Sequence, residues 1–339
     1  LMGWVNQLKQ KVRMGVNAPG EFIALDHLLH EMRLFKSVAE IEMMKMAAEV
    51  SCKGHERLMK RCRPKMKEYQ LEAEFVHECM FNGCRDLAYP SIVGGGKNGC
   101  ILHYTENNAV LNNGDLVLVD AGGEYQGYAA DITRTYPVNG RFSPAQKALY
   151  ELVLAAQSAA LEKVYPGNHW NAPHKAAVKV ITTGLVRLRL LKGRVDQLIN
   201  DEAYKAFYMH RTGHWLGLDV HDVGDYKVGG EWRMLEEGMV LTIEPGIYTG
   251  DNQKIAKKWR NIGIRIEDDV RVTATGHEVL TSKAVKTVAG IEALMNSLDT
   301  AATGKKIVTK KKQSSQKKVA KRKVPARKKA AARKNSSRN

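Results

Sequence analysis

The sequence predicts an α+β domain in which helices flank a bent, mostly antiparallel sheet made of two similar halves. Three observations carry this. A nine-residue pattern occurs twice: a Gly, an apolar strand-like run, one acid, and a closing Gly. The copies run from Gly114 to Gly122 around Asp120 and from Gly238 to Gly246 around Glu244. The run Leu116-Val117-Leu118-Val119 is apolar throughout, which suits a strand buried on both faces. Helix-start signals stand on either side of the first copy, at Ser37 and Ser143, and helices layered on one sheet give α+β architecture.

The elements follow in order. Residues 1–36 hold an amphipathic stretch from Trp4 to Val12, then a break at Pro19-Gly20. The chain opens Leu1-Met2, which reads as a fragment or a processed product. Ser37 and Glu40 form a capping-box pattern that starts a helix, with Ile41, Met44, Ala48 and Cys52 at helical spacing. His30-Glu31 does not open a zinc-protease helix, because Leu34 stands where the second His is needed. Gly94-Gly95-Gly96-Lys97-Asn98 lacks the Ser or Thr and the spacing of a phosphate loop, so a flexible loop near the site is expected. Beyond the Gly122-Gly123 turn, Tyr128 to Tyr136 reads as the returning strand of a hairpin, which lets Asp131 face Asp120. Ser143-Pro144 starts a helix over 144–163, with Ser as N-cap and Pro in the first turn. After the second copy, Gly263 to Glu267 alternates, with Ile264 and Ile266 on one face and Arg265 and Glu267 on the other. Between the halves lies a His-rich stretch containing His210, His214, His221 and Asp222.

A carboxylate at the end of a buried strand is poorly solvated, and left unpaired it costs several kcal/mol. Placing one there twice suggests duplicated halves that meet at a shared cation. If Asp120, Asp131, Glu244 and Glu267 converge, repulsion forces some to protonate unless metal ions neutralise them. Four carboxylates and one imidazole suit two divalent ions such as Mn²⁺, Co²⁺ or Zn²⁺. Two ions sharing carboxylates are a known device for activating water in hydrolysis.

Several blocks together resemble the metal site of aminopeptidase P (Xaa-Pro aminopeptidase), a family with the pita-bread fold. They are Val119 to Gly122, Asp131 to Thr135, His214 to Asp222, Thr242 to Gly246 and Gly263 to Asp269. The similarity runs from about His30 to Met295 and includes Asn98 to Glu106. The resemblance implies that Asp120 chelates one ion, that His214 and Glu244 hold the other, and that Asp131 and Glu267 bridge them, with Mn²⁺ the first choice of metal. It also implies that Glu244 shuttles a proton to the proline nitrogen. His103 and His221 would hydrogen-bond the substrate and the tetrahedral intermediate, His210 would line the proline pocket, and Arg265 would hold Asp120 by a charge-assisted pair. Tyr248 is a further candidate near the substrate.

The implied partners are peptides with proline in the second position. Related sequences usually carry Gly and Ser where this chain has Arg211 and Gly213, which bears on substrate preference more than on catalysis. Rival readings are a prolidase-like Xaa-Pro dipeptidase, a methionine aminopeptidase, and a non-catalytic pita-bread module binding nucleic acid. The remaining singled-out histidines (His27, His30, His55, His77, His169 and His174) are expected to be structural or at the surface.

Composition sets the wider frame. The 339 residues suffice for one large domain with appendages. Five cysteines, odd in number and without a CxxC pair, read as reduced thiols of a cytoplasmic protein. No 18-residue apolar run is present, so no membrane partner is expected. Residues 301–339 hold 16 Lys or Arg and no acid, leaving 37 basic against 36 acidic residues in 1–300. Such a segment is expected to be disordered when free and to bind nucleic acid or another polyanion nonspecifically, or only to solubilise. The expected organisation is therefore 1–36 as the remnant of an N-terminal domain, 37–298 as the catalytic domain, and 299–339 as a basic tail. In the family the N-terminal domain helps build oligomers, so a homo-oligomer remains open.

Overall fold

The computed structural model describes residues 1–297; the basic tail lies outside the described residues. In the N-terminal stretch α1 (Met2–Gln10) buries Val5 alone and leaves Trp4 exposed. A second helix that the sequence did not announce, α2 (Asp26–Leu34), ends on the fully buried Leu34. It is tied down by ion pairs from Arg233 to Glu31 at 2.5 and 2.6 Å. Helix α3 (Val38–Arg61) begins with the expected capping box: the Glu40 amide donates to Ser37 Oγ, and the Ser37 amide donates to the Glu40 carboxylate. Ile41, Met44, Ala48 and Cys52 are buried along it as their spacing requires, and α4 (Glu68–Phe81) packs against it.

The first half of the sheet follows. Strands β1 (Asp86–Leu87), β2 (Ile92–Gly95), β3 (Leu116–Asp120), β4 (Gly123–Tyr125), β5 (Tyr128–Ala129) and β6 (Thr133–Pro137) form two small antiparallel sheets, β2-β3-β6 and β1-β4-β5. Every residue of β3 is buried. The expected return strand is split: it leaves the ladder after Ala129 and rejoins it at Thr133, so Thr133, not Asp131, pairs with Asp120. Asp131 stands in the break. The helices α5 (Pro144–Leu161), capped by Ser143 and ending two residues short of expectation, α6 (Ala172–Arg187) and α7 (Val195–Asn200) come next.

The second half repeats this plan. A hairpin of β7 (Lys227–Val228) and β8 (Glu231–Trp232) precedes β9 (Val240–Ile243), β10 (Gly246–Tyr248), β11 (Gly263–Arg265), β12 (Asp268–Thr273) and β13 (Gly276–Val279). These pair antiparallel as β13-β12-β9 and β10-β11. The alternating run again breaks at its acid, because β11 ends at Arg265 and β12 starts at Asp268. The halves join at these breaks. The Glu267 amide donates to the Thr133 carbonyl, and Thr135 Oγ1 donates to the Arg265 carbonyl. Behind them the fully buried Arg134 guanidinium meets Asp268 at 2.7 Å, and Lys286 meets the same carboxylate at 2.5 Å. The five cysteines are free, and no described helix is long and apolar enough to cross a membrane.

Candidate metal centre

The strand ends and breaks deliver carboxylates into one cavity of about 700 Å³. Asp120 closes β3, Glu244 follows β9, Asp131 fills the β5–β6 break, and Glu267 fills the β11–β12 break. Close backbone approach fixes this placement. A Cβ on Gly122 would lie 1.7 Å from the Ala130 carbonyl oxygen, so the closing Gly of the first repeat is obligatory. His214 enters from a loop laid against β9, where its amide donates to Thr242 Oγ1 at 3.1 Å. Its Nδ1–H donates to the Trp215 carbonyl at 2.9 Å, which leaves Nε2 with its lone pair facing Asp131 at 3.3 Å and Glu244 at 3.9 Å. Ligand atoms of Asp131, His214 and Glu267 lie within 4.8 Å of one another.

All nine residues expected at the site line this cavity: Asp120, Asp131, His214, Glu244, Glu267, His103, His210, His221 and Arg265. Arg265 Nη2 reaches Asp120 at 2.5 Å, and its Nη1 donates to the Tyr248 hydroxyl at 3.0 Å. That hydroxyl lies 2.9 Å from His210 Nε2 and donates to it, while His210 Nδ1–H donates to the Arg211 carbonyl at 2.7 Å. Tyr248 therefore sits under the cavity wall as a link between Arg265 and His210.

Several polar partners carried no sequence signal. The Tyr89 hydroxyl reaches both Asp120 at 2.6 Å and Asp131 at 2.5 Å. Burial and the nearby acids hold its proton on, which makes it a donor. Thr133 Oγ1 donates to Glu267 at 2.5 Å, and both Asp269 oxygens accept the Asp131 amide at 3.1 and 3.2 Å. Thr133 is placed here by the register of β6 on β3 that only the structure gives, and nothing in Ala88-Tyr89-Pro90 marks the tyrosine.

Electrostatics test the fit of a cation. Burial, then the Asp120 and Asp269 charges, push the Asp131 carboxyl well above its ordinary range; burial, then Asp131 and Glu244, do the same to Glu267. Burial raises Glu244 to about 6. Burial lowers His210 to about 3, and it lowers His221 as well, so both imidazoles are neutral near pH 7. Arg265 is the one cation paired with these acids among the described residues, and its pair is with Asp120. The other carboxylates lack a counter-charge, and an oxygen-rich set with one imidazole nitrogen is what borderline-hard divalent ions select. The donors present fit such ions.

Residues 42–274 match the model of metallopeptidase family M24. The chain belongs to this family. Its bent, two-half sheet with flanking helices is the family's pita-bread fold. The M24 chain is 49% identical over 295 residues to the Xaa-Pro aminopeptidase of Escherichia coli (strain K12), covering 86% of this chain and 67% of that protein. Against the Haemophilus influenzae Xaa-Pro aminopeptidase it is 50% identical over 269 residues, 79% of this chain and 62% of the relative. The human Xaa-Pro dipeptidase is 38% identical over 307 residues, covering 80% of this chain and 62% of the relative. The solved structure of Pseudomonas aeruginosa aminopeptidase PepP matches with a TM-score of 0.86 at 60% identity, over 88% of this chain and 68% of that one. An Escherichia coli aminopeptidase P variant in complex with substrate matches with a TM-score of 0.84 at 48% identity, over 86% of this chain and 66% of that one. The M24 chain thus spans about two thirds of the length of these relatives or less.

Proposed function

We propose that this chain is a metal-dependent Xaa-Pro aminopeptidase that hydrolyses the bond between an N-terminal residue and a following proline. One observation carries the reading: Asp120, Asp131, His214, Glu244 and Glu267 open onto a single cavity in a chain about half identical to enzymes of that name. The lower identity to the dipeptidase does not favour the prolidase alternative, and the intact donor set speaks against a non-catalytic module.

Asp120, Asp131, His214, Glu244 and Glu267 would hold two divalent ions, Mn²⁺ before Co²⁺ or Zn²⁺. Bound ions supply Lewis acidity toward the scissile carbonyl and water near neutral pH. The chain's own groups do the rest. Arg265 and Tyr89 fix the Asp120 carboxylate from two sides. Glu244 takes the proton shed by the attacking water and hands it to the proline nitrogen as the C–N bond breaks. His103 and His221 donate hydrogen bonds to the oxygen that gains negative charge. His210, neutral and fixed by Tyr248, presents its ring to the proline. We assign the chain to the cytoplasm on its unpaired cysteines, and the basic tail to nonspecific polyanion binding.

The test is selectivity. Xaa-Pro-Xaa peptides should be cleaved at least a hundredfold faster than Xaa-Ala-Xaa peptides, about 3 kcal/mol at 1.4 kcal/mol per tenfold. Equal rates would make this a general aminopeptidase, and cleavage confined to Xaa-Pro dipeptides would make it a prolidase.

A further inference from the structure

Two cations at the mouth of the cavity take no part in the chemistry above. Arg211 directly follows His210, Lys227 opens β7, and both are exposed while lining the same cavity as the five metal donors. The Arg211 guanidinium lies 4.9 Å from the centroid of the Trp232 ring, and the Lys227 ammonium lies 4.7 Å from it. The platform beneath them is a tight hairpin. Strands β7 and β8 are joined by Gly229-Gly230, with φ of 58° and 88°. A two-residue turn that follows strand twist needs positive φ at both positions, which glycine supplies without strain. The register sets Lys227 directly opposite Trp232, which makes their side chains neighbours on one face. Arg211 is further fixed by a hydrogen bond to Oδ1 of Asn171, an almost fully buried amide.

These contacts hold the two cations but do not neutralise them. Among the described residues no carboxylate pairs with Arg211 or Lys227. Like charges gathered on one indole repel, and a carboxylate seated between them relieves that repulsion while gaining charge-assisted hydrogen bonds. The cavity carries opposite charges on two parts of its lining, with the buried acids Asp131 and Glu267 on one and the exposed cations Arg211 and Lys227 on the other. A short peptide has the matching polarity: an ammonium at the end that enters and a carboxylate at the end that stays outside.

We propose that Arg211 and Lys227 bind a carboxylate on the leaving part of the substrate, so the site prefers short peptides that end just beyond the proline or carry an acid there. The proposal rests on the Xaa-Pro reading above and names which of those peptides the site takes. A C-terminal carboxylate and an acidic side chain offer the same chemistry, so the test separates them.

The experiment compares kcat/KM for Xaa-Pro-Ala as the free acid, Xaa-Pro-Ala amide and Xaa-Pro-Glu amide, at low and high salt. The free acid should be preferred over the plain amide by roughly fivefold at low salt, mainly through KM, and less at high salt, as for charges at a solvated rim. A matching preference for Xaa-Pro-Glu amide over the plain amide shows that a side-chain carboxylate also serves; its absence restricts recognition to the terminal carboxylate. In the Arg211→Gln, Lys227→Gln double variant the acid-to-amide ratio should fall to near one, while Arg211→Lys and Lys227→Arg should keep it. Lys227→Gln alone, on an exposed hairpin, gives the same readout if the double variant folds poorly. Equal cleavage of acid and amide by the unsubstituted protein, or a ratio that survives the double substitution, overturns the proposal. Cleavage of none of the three peptides overturns the Xaa-Pro reading beneath it.

Discussion

Asp131 and Glu267 are buried where desolvation and the charges of neighbouring carboxylates favour the protonated carboxyl, and such groups mark sites built to hold a counter-charge. The residues that create this tension were legible because carboxylates at strand ends are costly and their pattern repeats. The groups that steady them were not. Tyr89, Thr133 and Asp269 approach from segments 31 to 138 positions away from their partners, and each is an ordinary residue in its local sequence. A residue-scale prediction concerns His55, expected to be structural or at the surface and found fully buried, with its Nε2–H donating to the Ala121 carbonyl at 2.9 Å. Burial lowers its pKa from 6.5 to about 4. The unfolded imidazole gains a proton near pH 6.5 and the folded one only near 4, so unfolding takes up a proton in between. The stability this represents is intact above pH 6.5 and is lost as pH falls toward 4, up to roughly 3 kcal/mol. His55→Gln keeps a donor toward Ala121 but cannot titrate. Its urea midpoint should decline less between pH 6.5 and 4.5 than that of the unsubstituted protein, and parallel declines would contradict this assignment.

At the scale of elements, the sequence announced the long apolar runs and the capped helices but not the places where strands stop. Tyr128–Tyr136 and Gly263–Glu267 read as continuous because apolar alternation records which residues are buried, whereas a break depends on where the partner strand's backbone lies. Those breaks carry Asp131 and Glu267, so the bends in the sheet are what bring the halves' acids together. Helix α2 escaped notice because its flanks carry no cap signal and only Leu34 on it is buried. The loop bearing His214 shows the same dependence on close backbone approach. A Cβ on Gly213 would lie 2.0 Å from the Thr242 carbonyl oxygen, although related sequences usually carry Ser there. Gly213→Ser should push the loop off β9 and pull His214 and Glu244 apart. We expect a loss of about 1–3 kcal/mol, typical of overpacking, together with reduced metal occupancy, read by urea denaturation and elemental analysis. Unchanged stability and occupancy would show that the loop can yield.

For the molecule as a whole, charge divides the chain where the fold does not need to be known. Residues 1–300 are nearly neutral and residues 301–339 carry 16 cations. Any affinity for polyanions should therefore reside beyond Thr300. It should weaken with salt at a log–log slope of roughly −0.9 per phosphate contact on duplex DNA and show little sequence preference. Deleting 301–339 should abolish a DNA gel shift and leave peptidase turnover within about twofold; a shift that persists, or turnover that collapses, would contradict the separation. The fold class was legible from sequence, and the five residues that converge on the cavity were singled out by the repeated buried acids together with the family resemblance. The contacts of Arg211 were not legible, because they depend on an indole 21 residues downstream and on the Asn171 amide 40 residues upstream. The central claim is that the five donors around the cavity hold two catalytic divalent ions. Metal content and turnover of Xaa-Pro-Xaa peptides, followed together as chelated protein is titrated with Mn²⁺, test it most directly. Turnover should be lost on chelation and return as about two ions bind per chain, while Asp131→Ala binds fewer and stays inactive. Full turnover by exhaustively chelated protein would contradict the account.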